Sequence, residues 1–211
     1  MARQKILTDV ELYNSWCIDI DRLTEQAVIL NNNCSALKKL IECEKHPQKS
    51  RLSLDTTRWV GHTFALAICI QLRAFCDSQD NTNSLRLLLN DMGKSPHLLF
   101  PLNAFASRRD PTNPELTALW QEYFDGDCSL AGITHKIATL LKMLPSKTSL
   151  FKFINMTIAH QSKESMEKPP TYGELLQNCT SVIETTLLLD KILRDSHFEM
   201  PKEQVDNPFL R

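Results

Sequence analysis

The chain has 211 residues, 42% of them hydrophobic, and its 24 basic and 25 acidic residues leave a net charge of -1. A chain of this length and apolar content can bury a core without disulfides or metals, which excludes an intrinsically disordered protein. The balanced charge gives no overall attraction to nucleic acid or to an acidic membrane surface.

The cysteines and the N-terminal segment indicate a reducing compartment. Seven cysteines are present, an odd number, and the first residues lack the apolar core of a secretory signal peptide. The longest apolar stretch, 64–72, is too short to cross a bilayer and is followed by Arg73. We therefore expect free thiols in a soluble cytoplasmic protein that has no membrane partner.

In chain order, the first three predicted elements are helices. A capping box at Thr8 and Glu11 opens a long helix over residues 9–43. After a polar loop, a helix over 56–78 is apolar on most faces, so we expect it in the centre of a bundle. A polar turn then leads to a short helix over 84–91.

The second half continues the helical pattern after a proline-rich loop excursion over 93–114. A capping box at Thr171 and Glu174 opens the last long helix, and residues 196–211 are predicted to be a flexible tail. Only five glycines occur, and strand-like alternation is not sustained anywhere. We predict one domain over residues 1–211, an all-α up-and-down helical bundle. The later helices are predicted over 114–123, 129–144, 146–162 and 172–195.

Motifs for metal or cofactor chemistry are incomplete. Cys43-x2-His46, with Cys34 upstream, comes nearest to a metal site, but no second pair completes a tetrahedron at zinc-like spacing. The sequence has no glycine-rich phosphate loop, no Gly-x-Ser-x-Gly elbow and no His-Glu-x-x-His. We therefore predict no metal and no cofactor.

Four charged residues are candidates for binding. Arg73 and Asp77 stand four residues apart at the end of the second predicted helix, where they could form a structural ion pair or bind a ligand. Arg108 and Arg109 lie in the predicted loop excursion and could bind an anion. For the two loop arginines, solvated surface charge is the favoured interpretation, because small charge pairs are common on protein surfaces.

Two segments resemble a known family. They are FALAICIQLRAFCDSQDNTNSLRLLLND, residues 64–91, and INMTIAHQS, residues 154–162. Both resemble the abortive-infection U-type branch of the HEPN superfamily, in a likeness that extends over about residues 9–194. In that branch an apolar helix leads through a polar turn into a Ser-Leu-Arg-x-Leu-Leu helix. A later helix carries Arg-Asn-x-x-x-Ala-His.

The resemblance implies an up-and-down bundle with a four-helix core and additional short helices, often in a symmetric homodimer. Many members of the superfamily are metal-independent ribonucleases of toxin–antitoxin or phage-defence systems. Their histidine handles a proton of the attacking 2′-hydroxyl or of the leaving oxygen. Their arginine supports the charge that develops on the phosphate.

The family motif transfers to this chain at all but one position. Asn155 matches the polar position and His160 matches the histidine, but Ile154 occupies the place of the arginine. Isoleucine can neither donate a hydrogen bond nor carry charge. Lys152 lies about 80° from His160 around a helix axis, so its long side chain is a conceivable substitute. Lysine lacks the planar fork with which arginine holds phosphate.

The sequence therefore favours a non-catalytic or degenerate HEPN-like protein that binds RNA or a protein partner, such as an antitoxin-like factor, and not DNA. In this interpretation His160 is structural. One alternative is an active metal-independent endoribonuclease that uses His160 with a displaced cation from Lys152, Arg73 or the Arg108–Arg109 pair. The other is an unrelated helical-bundle interaction protein, because a fold alone does not establish a function.

Overall fold

A computed structural model describes residues 7–49, 51–79, 82–99, 114–145 and 171–194 of the chain. The described residues form α-helices and short 3₁₀ turns, and none of them lies in a strand. The prediction of an all-α helical bundle is therefore confirmed. Its helices are α1 (Asp9–Lys45), α2 (Leu54–Cys76), α3 (Leu85–Lys94), α4 (Pro114–Tyr123), α5 (Leu130–Met143) and α6 (Tyr172–Arg194). The 3₁₀ turns are Pro47–Lys49 and Pro96–Leu99.

Both predicted capping boxes are formed. At the start of α1, the Thr8 backbone N–H donates to a carboxylate oxygen of Glu11 at 2.9 Å, and the Glu11 N–H donates to Thr8 Oγ1 at 3.3 Å. At the start of α6, Thr171 and Glu174 repeat the exchange at 2.7 and 3.2 Å. Each box satisfies backbone donors that have no partner inside the helix, which is why these two helices begin where the sequence predicts.

The described residues divide into two compact units. The first contains residues 7–24, which include the start of α1, and residues 185–194 at the end of α6. It also contains residues 77–79, 82–99 and 114–143. In it α3 packs against α5 and against the 3₁₀ turn that follows α3. Its core is built from side chains that are nearly or fully buried: Trp16, Ile20, Leu23, Leu85, Leu89, Met92, Leu99, Trp120, Phe124, Ile133, Ile137, Leu189 and Ile192.

In the first unit, two side chains of α1 also interact with a backbone carbonyl in the last turn of α6. The hydroxyl of Tyr13 donates to the carbonyl oxygen of Leu193 at 2.5 Å, and the Cys17 thiol approaches the same oxygen at 3.9 Å. Carbonyls in the last turn of a helix lack an intrahelical partner. These contacts therefore fix where α6 ends against α1.

The second unit contains residues 25–49 and 51–76, with 144–145 and 171–184. The side-chain amide of Asn33 on α1 donates to the amide oxygen of Gln71 on α2 at 2.9 Å. Its core includes the buried side chains of Leu30, Leu37, Leu40, Ile68, Leu72, Phe75, Leu175 and Val182. The thiols of Cys34, Cys69, Cys76 and Cys179 are buried as well, as expected of small apolar side chains.

The sequence predicts that α2 lies in the centre of the bundle, but only one face of this helix is buried. Ile68, Leu72 and Phe75 are buried, whereas Trp59 is 70% exposed and Ile70 is 55% exposed. Among the described helices, α2 has the length and apolar composition for crossing a membrane, and 39% of its most apolar window is buried inside the protein. Core helices pass the same test, so this is weak evidence for a membrane span.

A tight turn joins α4 to α5. Gly126 has φ of +85° and its N–H donates to the carbonyl oxygen of Gln121 at 2.6 Å, closing the end of α4 with a residue that tolerates this conformation. Asp127 then accepts the Ser129 N–H at 3.0 Å, and Ser129 Oγ accepts the Gly132 N–H at 3.1 Å. Ser129 is therefore the N-cap of α5.

Candidate functional site

The first unit contains an open, largely polar cavity of about 410 Å³ between α1 and α3. Its size falls within the range of small-molecule sites, which is roughly 300–1,000 Å³. The lining comes from one face of α1, one face of α3 and the residues just before α3. These residues are Ser15, Trp16, Asp19, Thr82, Asn83, Ser84, Leu87, Leu88, Asp91 and Lys94.

Helical spacing explains why these side chains share the cavity. On α1, Ser15 and Asp19 are four residues apart and Trp16 lies between them, three residues before Asp19. On α3, the lining residues recur at steps of three and four, which places them on one face of the helix: Ser84, Leu87, Leu88 and Asp91. Each helix therefore contributes one carboxylate to the cavity.

The wall before α3 is fixed by Ser84. Its hydroxyl accepts the Leu87 backbone N–H at 3.2 Å, as an N-cap does, and donates to the carbonyl oxygen of Asp77 at 2.5 Å. The Asp77 carboxylate in turn accepts the backbone N–H of Gln79 at 3.1 Å. Asp77, a predicted binding residue, therefore shapes the turn that carries Thr82 and Asn83 to the cavity.

Two side chains of the cavity wall, Asp19 and Trp16, have polar atoms without a hydrogen-bond partner among the described residues. Asp19 is half-buried, and none of the described residues forms a hydrogen bond or an ion pair with its carboxylate. Burial raises the pKa of this carboxyl above its usual range, Arg22 opposes the rise, and Asp91 adds to it. Trp16 is 1% exposed, and its indole Nε1 has no hydrogen-bond partner in the described part of the protein.

The second carboxylate of the cavity already binds an ammonium group. Lys94 Nζ lies 2.7 Å from Asp91 Oδ1, across one turn of α3, and both side chains are at least half exposed. An exposed pair at this spacing contributes little to stability, because water competes for both groups.

Of the remaining predicted site residues, only Arg73 is described, and it does not line this cavity. Arg73 is half-buried in the last turn of α2 and belongs to the second unit. His160, Asn155 and Lys152 lie outside the described residues. So do Arg108 and Arg109.

The predicted loop excursion is described only at its edges, and the predicted tail lies outside the described residues. Residues 93 and 94 complete α3, Pro96–Leu99 form a 3₁₀ turn, and Pro114 begins α4. Residues 100–113 lie outside the described ranges, as do those of the predicted tail, 196–211.

The described residues do not form a set of ligands for a metal ion. Within the five described ranges, no group of three or more histidine, cysteine or acidic side chains is placed to hold a metal ion. Cys34 instead hydrogen bonds with the thiol of Cys179, another buried cysteine of the second unit. This contact, together with burial, raises the pKa of Cys179. Burial alone raises the pKa of Cys69 to about 11.

Sequence reasoning did not select the Asp19–Trp16–Asp91 set. A signal was present in the recurrence of residues 84, 87, 88 and 91, which places a carboxylate on the same side of α3 as Leu87 and Leu88. The partner face on α1 carried no comparable signal, since Asp19 is one of several acidic residues along that helix. The described lining residues combine hydrogen-bond acceptors with donors, an arrangement that can bind a small polar molecule.

The chain was compared with protein-family models, with curated proteins and with solved structures. Nothing matched in any of the three comparisons. The likeness of residues 64–91 and 154–162 to the HEPN superfamily is therefore a hypothesis from sequence.

Proposed function

We propose that this chain is a cytoplasmic HEPN-like helical protein that has lost ribonuclease activity and acts by binding a protein partner in a toxin–antitoxin or phage-defence system. An RNA partner is the alternative. Support for the family comes from the two sequence segments and from the helical architecture, in which the capped α3 follows the apolar α2 after a short polar turn.

The proposed loss of ribonuclease activity rests on the isoleucine at position 154. In the motif that the chain resembles, an arginine precedes the asparagine, and here an aliphatic side chain stands before Asn155. Removing one electrostatic donor from a site of this kind typically lowers the rate by about 10² to 10³. An imidazole at His160 without a cation close to the phosphate is therefore expected to cleave RNA poorly.

A protein partner is favoured over RNA by charge and by surface composition. The net charge of -1 gives no general attraction to phosphate. On α2, Trp59 and Ile70 are exposed and Leu66 is half-exposed, at spacings that place them on one side of the helix. Exposed apolar side chains grouped in this way are typical of surfaces that other proteins cover.

We propose a second copy of the chain as the first partner, since the resemblance implies a homodimer. Sedimentation velocity of the full chain is expected to give a dimer, and Trp59→Ser is expected to weaken it. Thr134→Ala, which changes an exposed threonine on α5 whose hydroxyl bonds the Leu130 carbonyl oxygen, is the control. A wild-type chain that is monomeric up to high concentration contradicts the dimer.

Restoring the missing cation tests the loss of activity. We expect the wild-type chain to leave structured and single-stranded RNA intact in the presence of EDTA, and Ile154→Arg to cleave it. Ile154→Leu is the matched control, because it changes the side chain without adding charge. The double variant Ile154→Arg with His160→Ala is expected to lose the gained cleavage, which would assign the histidine its role in the motif.

Two results would overturn the proposal. Cleavage by the wild-type chain that disappears in His160→Ala would identify an active ribonuclease, and loss of that cleavage in Lys152→Met would identify the displaced cation. An Ile154→Arg variant that folds and still leaves RNA intact would instead remove the support for a HEPN-like site, leaving an unrelated helical interaction protein.

A further inference from the structure

We propose that Cys34 and Cys179 are a site of reversible covalent modification, at which hydrogen peroxide oxidises the two buried thiols to one disulfide. The inference does not depend on the proposed HEPN-like function, because it stands on the packing of the second unit alone. Both cysteines are free thiols in the structure. In a reducing compartment a disulfide is usually transient and catalytic or redox-sensing, so oxidation of this pair would be a reversible response to peroxide.

The packing of α1 against α2 places Cys34 level with Cys69. Two side-chain hydrogen bonds fix the register of these helices: Asn33 with Gln71 at 2.9 Å and Glu44 with Arg58 at 2.8 Å. Since the contacts move back along α2 as they move forward along α1, the two helices run antiparallel. Cys34 and Cys69 therefore stand at the same level, and both are buried, with 4% and 3% of their surface exposed.

Helix α6 brings a third thiol to this level of the core. Cys179 is 1% exposed, and its S–H donates a hydrogen bond to the sulfur of Cys34. Cys69 is also close enough to influence Cys179 electrostatically, so three helices of the second unit contribute thiols to one part of the core. The hydrogen bond puts the sulfurs of Cys34 and Cys179 in contact, and a disulfide between them therefore requires only a small rotation of the side chains.

The hydrogen bond gives the two sulfurs different roles. Accepting it lowers the pKa of the Cys34 thiol; burial opposes this effect, and the positive charge of Lys38, one turn later on α1, supports it. Donating it raises the pKa of Cys179, and burial raises that pKa further. Because the thiolate is the nucleophile, Cys34 is the sulfur that reacts with peroxide, and Cys179 is the thiol that resolves the product.

The modification proceeds in two steps. In the first, the Cys34 thiolate attacks an oxygen of hydrogen peroxide, the O–O bond breaks, and a sulfenic acid forms while hydroxide leaves and takes up the thiol proton as water. The peroxide gains the two electrons that the sulfur loses. In the second, the sulfur of Cys179 attacks the sulfur of the sulfenic acid, the S–O bond breaks, and the hydroxyl leaves as water with the Cys179 proton. A dithiol reductant reverses the reaction by thiol–disulfide exchange.

Oxidation has a structural consequence that can be measured. A disulfide between Cys34 and Cys179 would link α1 to the first half of α6 and would close the long stretch of chain between them. Such a closure restricts the unfolded chain more than the folded one, so the oxidised protein is expected to unfold at a higher urea concentration. Dithiothreitol is expected to return the midpoint to that of the reduced protein.

The test is peptide mapping of the full chain after treatment with hydrogen peroxide. Remaining thiols are blocked with iodoacetamide, and the protein is digested with trypsin without reductant. Lys38 and Lys39 separate Cys34 from Cys43, so the linked peptides are assigned without ambiguity. We expect the peptide of Cys34 joined to that of Cys179, in at least about tenfold excess over any other cysteine pair because these sulfurs are already in contact. Dithiothreitol is expected to separate the two peptides.

Single serine variants test the role of each thiol. Cys34→Ser and Cys179→Ser are each expected to abolish the linked peptide and the peroxide-dependent rise in the urea midpoint. In Cys179→Ser, oxidation of Cys34 should stop at the sulfenic acid, which dimedone traps, whereas Cys34→Ser should leave Cys179 unmodified. Cys76→Ser, which removes another buried thiol of the second unit, is the control and should keep both responses. Circular dichroism establishes that each variant is folded.

Three results would overturn the inference. One is a native chain without the linked peptide at a peroxide concentration that oxidises Cys43, a half-buried thiol. Another is a link that forms only in urea, because the pairing would then belong to the unfolded chain. The third is a dominant link between Cys34 and Cys69, which would assign the resolving thiol to α2 in place of α6.

Discussion

The buried carboxylate of Asp190 is held by Arg194, one turn later on α6. Arg194 Nε lies 2.5 Å from Asp190 Oδ1, and a second nitrogen of the same guanidinium contacts that oxygen. The Asp190 side chain has no exposed surface. The guanidinium also contacts the carboxylate of Asp21 on α1, so one arginine joins α1 to α6 within the first unit.

Removing this guanidinium should destabilise the protein strongly. Arg194→Ala would leave a buried carboxylate without its cation, which typically costs about 3 kcal/mol or more. Arg194→Lys should recover only part of the loss, since lysine cannot contact both carboxylates with a planar fork. Urea unfolding at pH 7 measures the difference. Arg58→Ala, which breaks the exposed contact of Arg58 with Glu44, is the control and should change the midpoint far less.

Two helical glycines should respond to alanine in opposite directions. At Gly132 a Cβ would overlap the carbonyl oxygen of Asp127, so Gly132→Ala is expected to destabilise the protein by about 1–3 kcal/mol. At Gly61, inside α2, the nearest atom to an added Cβ would be Leu40 Cβ at 4.0 Å. Gly61→Ala is therefore expected to stabilise it by about 0.5–1 kcal/mol. Thermal unfolding of both variants checks the signs, and a stabilising Gly132→Ala would contradict the described turn.

The cysteines should separate into two classes in a thiol-labelling experiment. Cys17, Cys43 and Cys128 are half-buried, whereas the other four are buried: Cys34, Cys69, Cys76 and Cys179. We expect three thiols to react with a disulfide reagent in the native protein and all seven to react in denaturant. Among the three, Cys128 should react more slowly than an ordinary thiol at neutral pH, because burial and the nearby Asp127 raise its pKa. Mass spectrometry of the labelled peptides identifies each site, and fast labelling of Cys69 would contradict its burial.

Asp19 should make stability depend on pH in a defined direction. Its pKa is raised in the folded protein, chiefly by burial, so the folded state binds the proton more readily than the unfolded state does. Stability should therefore fall as the pH rises from the unfolded pKa through the folded one. Asp19→Asn, which cannot ionise, should be more stable than the wild type at pH 7.

The difference between Asp19→Asn and the wild type should shrink as the pH is lowered and Asp19 takes up its proton. Arg22, Asp91 and Lys94 are the charged groups near this carboxylate, so a comparison at constant ionic strength isolates Asp19. Midpoints of thermal unfolding across the acidic range measure it. A wild-type protein that is more stable than Asp19→Asn at pH 7 would mean that a cation already compensates the carboxylate.

Several helix boundaries could be predicted from capping residues and prolines in the sequence. The side chains of Thr8 and Thr171 cap the backbone within three residues, and α5 ends just before Pro145. Caps and prolines act on groups that are neighbours along the chain, so the sequence contains all the partners of the interaction. For the same reason, α4 begins at Pro114 as predicted, and Ser84, predicted as the first residue of its helix, caps α3.

The sequence by itself determined the helical class, the starts of α1, α4 and α6, and the aliphatic residue at position 154. The tertiary structure alone decided that Asp19 and Asp91 share a cavity, that Arg194 joins Asp190 to Asp21, and that one side of α2 is exposed. The physical reason is that capping depends on neighbours in the chain. Burial and the pairing of distant charges depend instead on which helical faces pack together, and the free energies of alternative packings differ too little for residue spacing alone to select among them.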